Sequence, residues 1–515
     1  MSSLGFSKII KFSVIFLIGF CFVLSWWWVL NNNFFINFDI SRDLILWYEI
    51  IHNNHITLIG PHSGTIPGLF HGPLWYYLNL PALLIGNGNP VALGWFWMIL
   101  SGVFLYLVFF TASRIFDWKT AILSILILSA NSITNFTDDE KYFYNPYGAV
   151  ILVPVFFYLF QKYIKSLKPI YLQLSVLIVG LIIQFQMAFG VPIFILTSIY
   201  LTIYNFRKNK LYHLMNLLLI VFPLSTFIIF ELKNNFLQVK TVLLYLVTEN
   251  TQMNFRNFIF SRIDQLFMDN FRMLAENSLP LQVLFSLSFF VLLFYQLRRN
   301  HFSYSDPFWL FGYFYFGFGL ITFLFKGEIV NYYWPFLPLM VIIFSALLMN
   351  ISKRVAAVII FILVGYNLLL GLRIVTDYPY TQEKQDFTSW NYNLEMAQIV
   401  YEDSDEDFGY FIYTPNLFGY SQRYAMEYEA AKYKHLESFA FIKKPITYLI
   451  IADFNTGRAD LTPENWKNVD VKISSQAEKI LQFKHYRIEK YRLSEEEINN
   501  PPNPSLLLLS NGFFR

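Results

Sequence analysis

Over residues 38–90 the sequence reads FDISRDLILWYEIIHNNHITLIGPHSGTIPGLFHGPLWYYLNLPALLIGNGNP, and its first residues have the types needed for proton transfer beside an anion. Asp39, Arg42 and Asp43 stand at i, i+3 and i+4, which puts them on one side of a helical turn. A carboxylate there can take a proton from a hydroxyl. A guanidinium can hold a phosphate whose charge grows as a bond breaks. The trio follows the first apolar run, where a membrane helix should end, so it suits chemistry on something anchored in lipid. The competing role is structural: Asp39 would cap the helix, and Arg42 would pair with Asp43 or with headgroups.

The same stretch continues with Gly60-Pro61-His62, Gly64, Gly68 and His71-Gly72-Pro73, a loop whose glycines permit close approach of main chain and exposed N–H groups. Leu74-Trp75-Tyr76-Tyr77-Leu78 then reads as an interfacial helix with an aromatic belt. His62 and His71 are candidates for phosphate or metal, against the commoner role of a hydrogen-bonding loop histidine. A second acidic cluster, Asp138, Asp139 and Glu140, suits acceptor binding or a divalent metal held by hard oxygens, against a solvated turn. Arg256 and Lys326 fall in loops on the same side and are phosphate candidates.

The elements that must position these residues are membrane helices. Of 515 residues 56% are hydrophobic, 20% aromatic and 14% charged, where soluble domains carry about 25% charge. The net charge of +3 and the lack of a basic tract interleaved with aromatics exclude nucleic acid as a partner. Cys21 is the lone cysteine, so no intrachain disulfide can form. Lys8 and Lys11 precede an apolar run that ends in Trp26-Trp27-Trp28 without an A-x-A site, which predicts an uncleaved first span. No Walker loop or dinucleotide fingerprint is present.

With about 20 apolar residues per span, spans fall near 11–31, 91–112, 118–134, 147–164, 169–185, 188–205, 211–231, 280–297, 307–325, 332–349 and 354–373, about eleven in all. The fifth and sixth are separated only by a tight turn in QFQMAFG. Loops sharing a side with the N-terminus carry Arg114 and Lys119, then Lys162, Lys165 and Lys168, then Arg207, Lys208 and Lys210, then Arg298, Arg299, Lys353 and Arg354. The positive-inside rule makes that side cytoplasmic and puts the C-terminal segment outside, at the cell membrane. The expected division is a membrane domain over 1–375, with outside loops at 32–90 and 232–279, and an extracytoplasmic domain over 376–515. The second loop should include an amphipathic helix lying on the membrane. In the tail, strand-like runs at 408–414, 446–454 and 485–493 flank a helical stretch marked by Tyr424, Tyr428 and Ala431, which predicts a small α/β domain. Its acidic runs, 402–407 and 495–497, read as solvated surface.

These motifs resemble the GT-C superfamily of glycosyltransferases, namely the dolichyl-phosphate-mannose-type protein mannosyltransferases and the lipid A aminoarabinose transferases. The likeness covers about 1–375 and is densest over 38–90: an acidic residue after the first helix, an x-R-D step, a Gly-Pro loop and the His-Gly-Pro-Leu-Trp-Tyr-Tyr segment. The resemblance implies an inverting enzyme with Asp39 as base. It would use a polyprenyl-phosphate sugar as donor and a glycan, lipid or protein as acceptor. Tyr144-Asn145-Pro146, Phe230-Glu231-Leu232 and Tyr332-Tyr333-Trp334-Pro335 also look like family signatures, which adds Asn145, Glu231 and Tyr333 to the expected site. Two departures stand out. Tyr332 occupies the place of a family histidine, a role Lys326 could take, and Ile40 follows Asp39 where mannosyltransferases have an Asp-Glu pair. The alternatives are a flippase or transporter and a polymerase or ligase of lipid-linked glycans. Transporters place ionisable residues inside their spans, whereas here the acidic residues gather in loops.

Overall fold

The structure is a computed structural model. It describes residues 3–53, 56–63, 66, 68–135, 143–248, 254–325, 332–377, 387–414, 419–452 and 462–506. The chain divides into two compact units. The first comprises Met1–Trp27, Ile56–Asn79 and Phe96–Asp377, the second Trp28–His55, Leu80–Trp95 and Tyr378–Arg515.

Among the described residues six helices are long and apolar enough to cross a membrane: Pro90–Ile115, Pro146–Ser166, Met187–Arg207, Leu279–Arg299, Pro307–Leu324 and Lys353–Thr376. The pair Leu211–Val221 and Ser225–Lys233, bent by 62° at its break, makes a seventh if it is counted as one span. Shorter apolar helices, Phe12–Ser25, Trp118–Ile133, Pro169–Phe185 and Trp334–Met349, occupy the remaining expected positions. Every expected span therefore falls on a helix or helix pair, but by length and composition six or seven of the described helices qualify, not eleven. The reason is length. A helix such as Pro169–Phe185, with 17 residues, extends only about 26 Å at 1.5 Å per residue, short of a hydrocarbon core of about 30 Å.

Many outward side chains of these helices are apolar, as lipid requires and water would penalise: Phe361 is 78% exposed and Val291 64%. Within the first unit the helices Pro146–Ser166 and Pro169–Phe185 pack closely. The expected tight turn after Phe185 is the single residue Gln186, extended at φ −146° and ψ 93°. Helix Phe255–Leu274 lies where an amphipathic helix was expected, and its buried residues include Phe271 and Leu274 while Phe255 and Phe260 are exposed.

The second unit is built on a five-stranded sheet in the order β2-β1-β3-β5-β4. Its strands are β1 (Phe408–Tyr413), β2 (Ser438–Ala440), β3 (Ile446–Ala452), β4 (Lys479–Phe483) and β5 (Tyr486–Arg492). β1 pairs in parallel with β2 and β3, while β5 runs antiparallel to β3 and β4. Side chains alternate across the central strands. Phe411, Tyr413, Leu449 and Ile451 join Trp466, Val471 and Tyr491 in a core on one face. Helices Trp390–Asp403 and Tyr420–Ala430 pack together, and Tyr401 meets Phe408 edge-on at 5.2 Å. This is the small α/β domain the tail predicted.

The early segment of the chain completes this unit. Ile36 N donates to Thr388 O at 2.7 Å, Trp390 N to Phe34 O at 2.8 Å, and Asn33 Nδ2 to Ser389 Oγ at 3.0 Å. Helix Phe38–Asn53 then packs against Tyr420–Ala430, with the Phe38 and Tyr420 rings 5.3 Å apart. The acidic runs supply bonded carboxylates rather than surface alone, Asp407 among them, which accepts from Glu437 N at 2.8 Å. Asp403 accepts from Tyr448, Lys479 and Lys490, and Glu497 accepts from the amides of Ser474 and Ser475. Asp405, Glu406, Asp407, Glu495 and Glu496 are exposed, as expected.

Candidate active site

The cap of helix Phe38–Asn53 is Asn37, not Asp39. Its Oδ1 accepts from Ile40 N at 2.9 Å, the bond a cap makes with an otherwise orphaned amide. Asp39 is thereby left in the first turn, where a carboxylate is also favoured by the helix dipole. Arg42 Nη1 donates to Asp39 Oδ1 at 2.7 Å, while its Nε and Nη2 donate to Asp43 Oδ1 at 3.1 and 2.9 Å. Both the expected Arg42–Asp43 pair and a pair with Asp39 are therefore present. Exposure of the three side chains runs from 39% for Asp39 through 10% for Arg42 to 1% for Asp43. The buried carboxylate anchors the guanidinium, which in turn orients a carboxylate that solvent and substrate can reach. Tyr420 lies beside the group. Burial pushes its phenol up, and Arg42 and Arg423 counter that shift.

In the first unit the predicted residues serve the main chain. His62 and Phe70 form a β-bridge. The turn is closed by Gly60 N to His71 O at 2.7 Å, His71 N to Pro61 O at 2.9 Å and Ser63 N to Leu69 O at 2.8 Å. His62 Nε2 accepts from Gly68 N at 3.3 Å, so the neutral ring carries its proton on Nδ1. Gly72 N donates to Gln184 O at 2.9 Å, and a Cβ on Gly72 would lie 1.7 Å from Gln184 Oε1. Only glycine permits that approach.

Glu231 caps another helix. Its Oε1 and Oε2 accept from Gln238 N and Val239 N at 3.1 and 3.2 Å, at the start of helix Leu237–Val247. Gln238 Oε1 in turn accepts from Phe70 N at 2.9 Å, so Glu231 supports the loop at one remove. Asn145 Nδ2 donates to Phe185 O at 2.8 Å, at the end of the neighbouring helix. Tyr333 is fully buried, 5.1 Å from the Phe318 ring. Arg256 is exposed over the ring of Phe260 at 5.6 Å. Asp139, Glu140 and Lys326 lie outside the described residues. So does the metal expectation attached to the 138–140 cluster, and among the described residues no group of three or more His, Cys, Asp or Glu could hold a metal.

Sequence reasoning missed Arg262. It is 1% exposed and donates to Thr322 O at 3.1 Å, Phe325 O at 2.9 Å and Gln265 Oε1 at 2.9 Å, capping the end of helix Pro307–Thr322. Burial pulls its guanidinium down from the ordinary arginine value, and the nearby Tyr333, Tyr245 and Tyr332 oppose that shift. On the same helix Asp269 is pushed up to about 7 by burial, with Arg272 opposing and Asp264 reinforcing the shift. Three arginines share this helix, and composition alone does not say which faces inward.

Among solved structures the chain is similar to ArnT from Cupriavidus metallidurans. The structure bound to undecaprenyl phosphate matches with TM-score 0.59 at 10% identity, over 96% of this chain and 99% of that one. The apo structure matches with TM-score 0.57 at 10% identity, over 95% and 98%. An apo oligosaccharyltransferase from Archaeoglobus fulgidus matches with TM-score 0.46 at 12% identity over 81% and 64%, too loosely to carry weight. No family model matches the chain, and no curated protein matches it by sequence. At such identity the ArnT likeness is one of fold, and it is the GT-C fold that the motifs led us to expect.

Proposed function

We propose that this chain is an inverting glycosyltransferase that moves a sugar from a polyprenyl-phosphate carrier to an acceptor hydroxyl at the outer face of the cell membrane. Asp39 removes the acceptor proton, and the alkoxide oxygen attacks the anomeric carbon from the face opposite the phosphate. The bond from that carbon to the phosphate oxygen breaks, and its electron pair leaves with the phosphate. Arg42 keeps the Asp39 carboxylate oriented for this step. Arg256 and Lys326 are the proposed partners of the departing phosphate, with His62 and His71. Asp139 and Glu140 are proposed for the acceptor, alone or through a divalent metal. Asn145, Glu231 and Tyr333 hold the first unit in shape.

The observation that carries this reading is the graded trio at the start of helix Phe38–Asn53, a reachable carboxylate backed by a buried ion pair. The fold shared with an undecaprenyl-phosphate-bound ArnT supports the donor class. The spans support an enzyme over a transporter, because their charged residues sit in the terminal turns, as with Arg114, Lys165 and Arg298.

The test is transfer from a radiolabelled undecaprenyl-phosphate sugar by the full chain in vesicles. Asp39→Asn should lower the rate by about two to four orders of magnitude. Activity that survives the substitution removes Asp39 as base. No transfer from any monophosphate donor, together with movement of labelled lipid across the vesicle, would replace the reading with transport.

A further inference from the structure

The second unit contains a cavity of about 400 Å3 that the transfer step above does not use. It lies at the far end of the Asp39 helix: from Asp39 to His52 is 13 residues, about 20 Å of helix rise. Its volume falls within the range of about 300–1,000 Å3 usual for small-molecule sites. Tyr48, His52, Asn87, Tyr424, Tyr428 and Lys432 supply its polar and aromatic lining.

These groups are set in place before any ligand arrives. The Tyr48 and His52 rings stack at 3.8 Å. His52 Nδ1 is 3.0 Å from Tyr48 O, and a carbonyl only accepts, so the neutral imidazole keeps its lone pair on Nε2. Tyr428 is braced edge-on by Trp390 at 5.2 Å. The Tyr424 hydroxyl donates to Gly88 O at 2.5 Å, which pins the turn that exposes the Asn87 amide. That turn needs both residues in the left-handed region, Asn87 at φ 49° and Gly88 at φ 83°.

Charge decides what kind of ligand fits. Lys432 Nζ is 2.8 Å from Glu429 Oε2, a carboxylate whose side chain is 1% exposed. The partly buried Glu427 beside Tyr48 and His52 is bridged to Arg423 at 2.7 Å. No uncompensated cation is on offer, so a phosphate or an acidic headgroup has little to gain here. A lipid tail would strand the amide, imidazole and ammonium groups without partners. Flat rings joined to a few fixed donors and acceptors suit a pyranose, whose apolar face can lie on a tyrosine while its hydroxyls bond at the rim.

We propose that this cavity holds one neutral sugar unit of the acceptor glycan, a subsite that rests on the glycosyltransferase reading. Because it lies a helix length from Asp39, the acceptor it grips is an oligosaccharide, with the reacting hydroxyl several units away from the bound ring.

The experiment titrates the full chain in nanodiscs with mannotriose, maltotriose, galactotriose and inorganic phosphate, followed by saturation-transfer NMR. At least one trisaccharide should bind, phosphate should not compete, and Tyr428→Ala and the exposed-site variant His52→Ala should each weaken binding tenfold or more. Hydrolysis of labelled donor without acceptor should be unchanged in both variants. The proposal is overturned if none of the trisaccharides binds, if both variants bind as tightly as the unsubstituted chain, or if phosphate displaces the sugar. Binding that follows the prediction while no donor is ever turned over would sink the catalytic reading and leave a glycan-binding cavity standing. Lost trisaccharide binding with intact donor turnover would do the reverse.

Discussion

At the start of helix Phe38–Asn53 charged side chains bond to one another, whereas around the loop at 56–72 polar side chains bond to main chain. Arg42 spends its donors on two carboxylates and leaves Asp39 39% exposed. His62, Glu231 and Gln238 accept from backbone amides, and Asn145 donates to a backbone carbonyl. The second pattern builds, since buried amides and carbonyls must be satisfied. The first holds one carboxylate at the surface against a buried support. The motif residues of the two regions look alike in sequence and do different work in the structure.

The sharpest way to break this comparison is Arg42→Met. It leaves the Asp43 carboxylate, 1% exposed, without its guanidinium, and should cost about 3–5 kcal/mol of stability in the second unit. Hydrogen exchange across helix Phe38–Asn53 would report it. Adding Asp43→Leu should restore much of the loss, and a double variant as unstable as the single one would show that the pair does not act as a unit.

A smaller effect belongs to the loop. Gly72→Ala would place a Cβ 1.7 Å from Gln184 Oε1 and 2.9 Å from Gln184 Cα, so moving the side chain alone does not relieve it. We expect a loss of about 1–3 kcal/mol, with transfer falling only as far as the folded fraction does. A rate defect in protein that melts normally would move this loop into the catalytic class.

The smallest effect tests a carboxylate that only builds. Burial works against the charge of Glu497, but the amides of Ser475, Ser474 and Ser494 overcome it and hold the carboxyl down at about 2. Its ordinary value is 4.5, so its stabilisation is present above that pH and is lost as pH falls toward 2. Glu497→Gln should cost about 1 kcal/mol at neutral pH and remove this acid dependence. Exchange of the Ser474 and Ser475 amides against pH would measure both.

Much of the fold was legible because apolar runs dictate helices whatever surrounds them. β1, β3 and β5 were legible for a similar reason, being rich in aromatic and β-branched residues. β2 was hidden by its three-residue length, and β4, KILQF, by a largely exposed pattern with no core face. In the site, the spacing of Asp39, Arg42 and Asp43 foretold their contact, since neighbours on one helical turn need no tertiary information. The targets of Glu231 and Asn145 could not be read. Which amide or carbonyl a side chain meets across a fold is set by packing, and so is the choice between Arg256, exposed, and Arg262, buried.

The pairing of Asn33 with Ser389 joins positions 356 residues apart. The second unit is therefore assembled from an early and a late product of translation, and the Asp39 helix must wait for its partner while the intervening helices are made. The entropic cost of closing so long a loop grows only with the logarithm of its length, so the delay is chiefly one of time. A ribosome stalled before residue 388 would hold a chain with many of its membrane helices complete and helix Phe38–Asn53 still without Tyr420–Ala430 to pack against. On the proposed reading, activity would then appear only after the late segment is made.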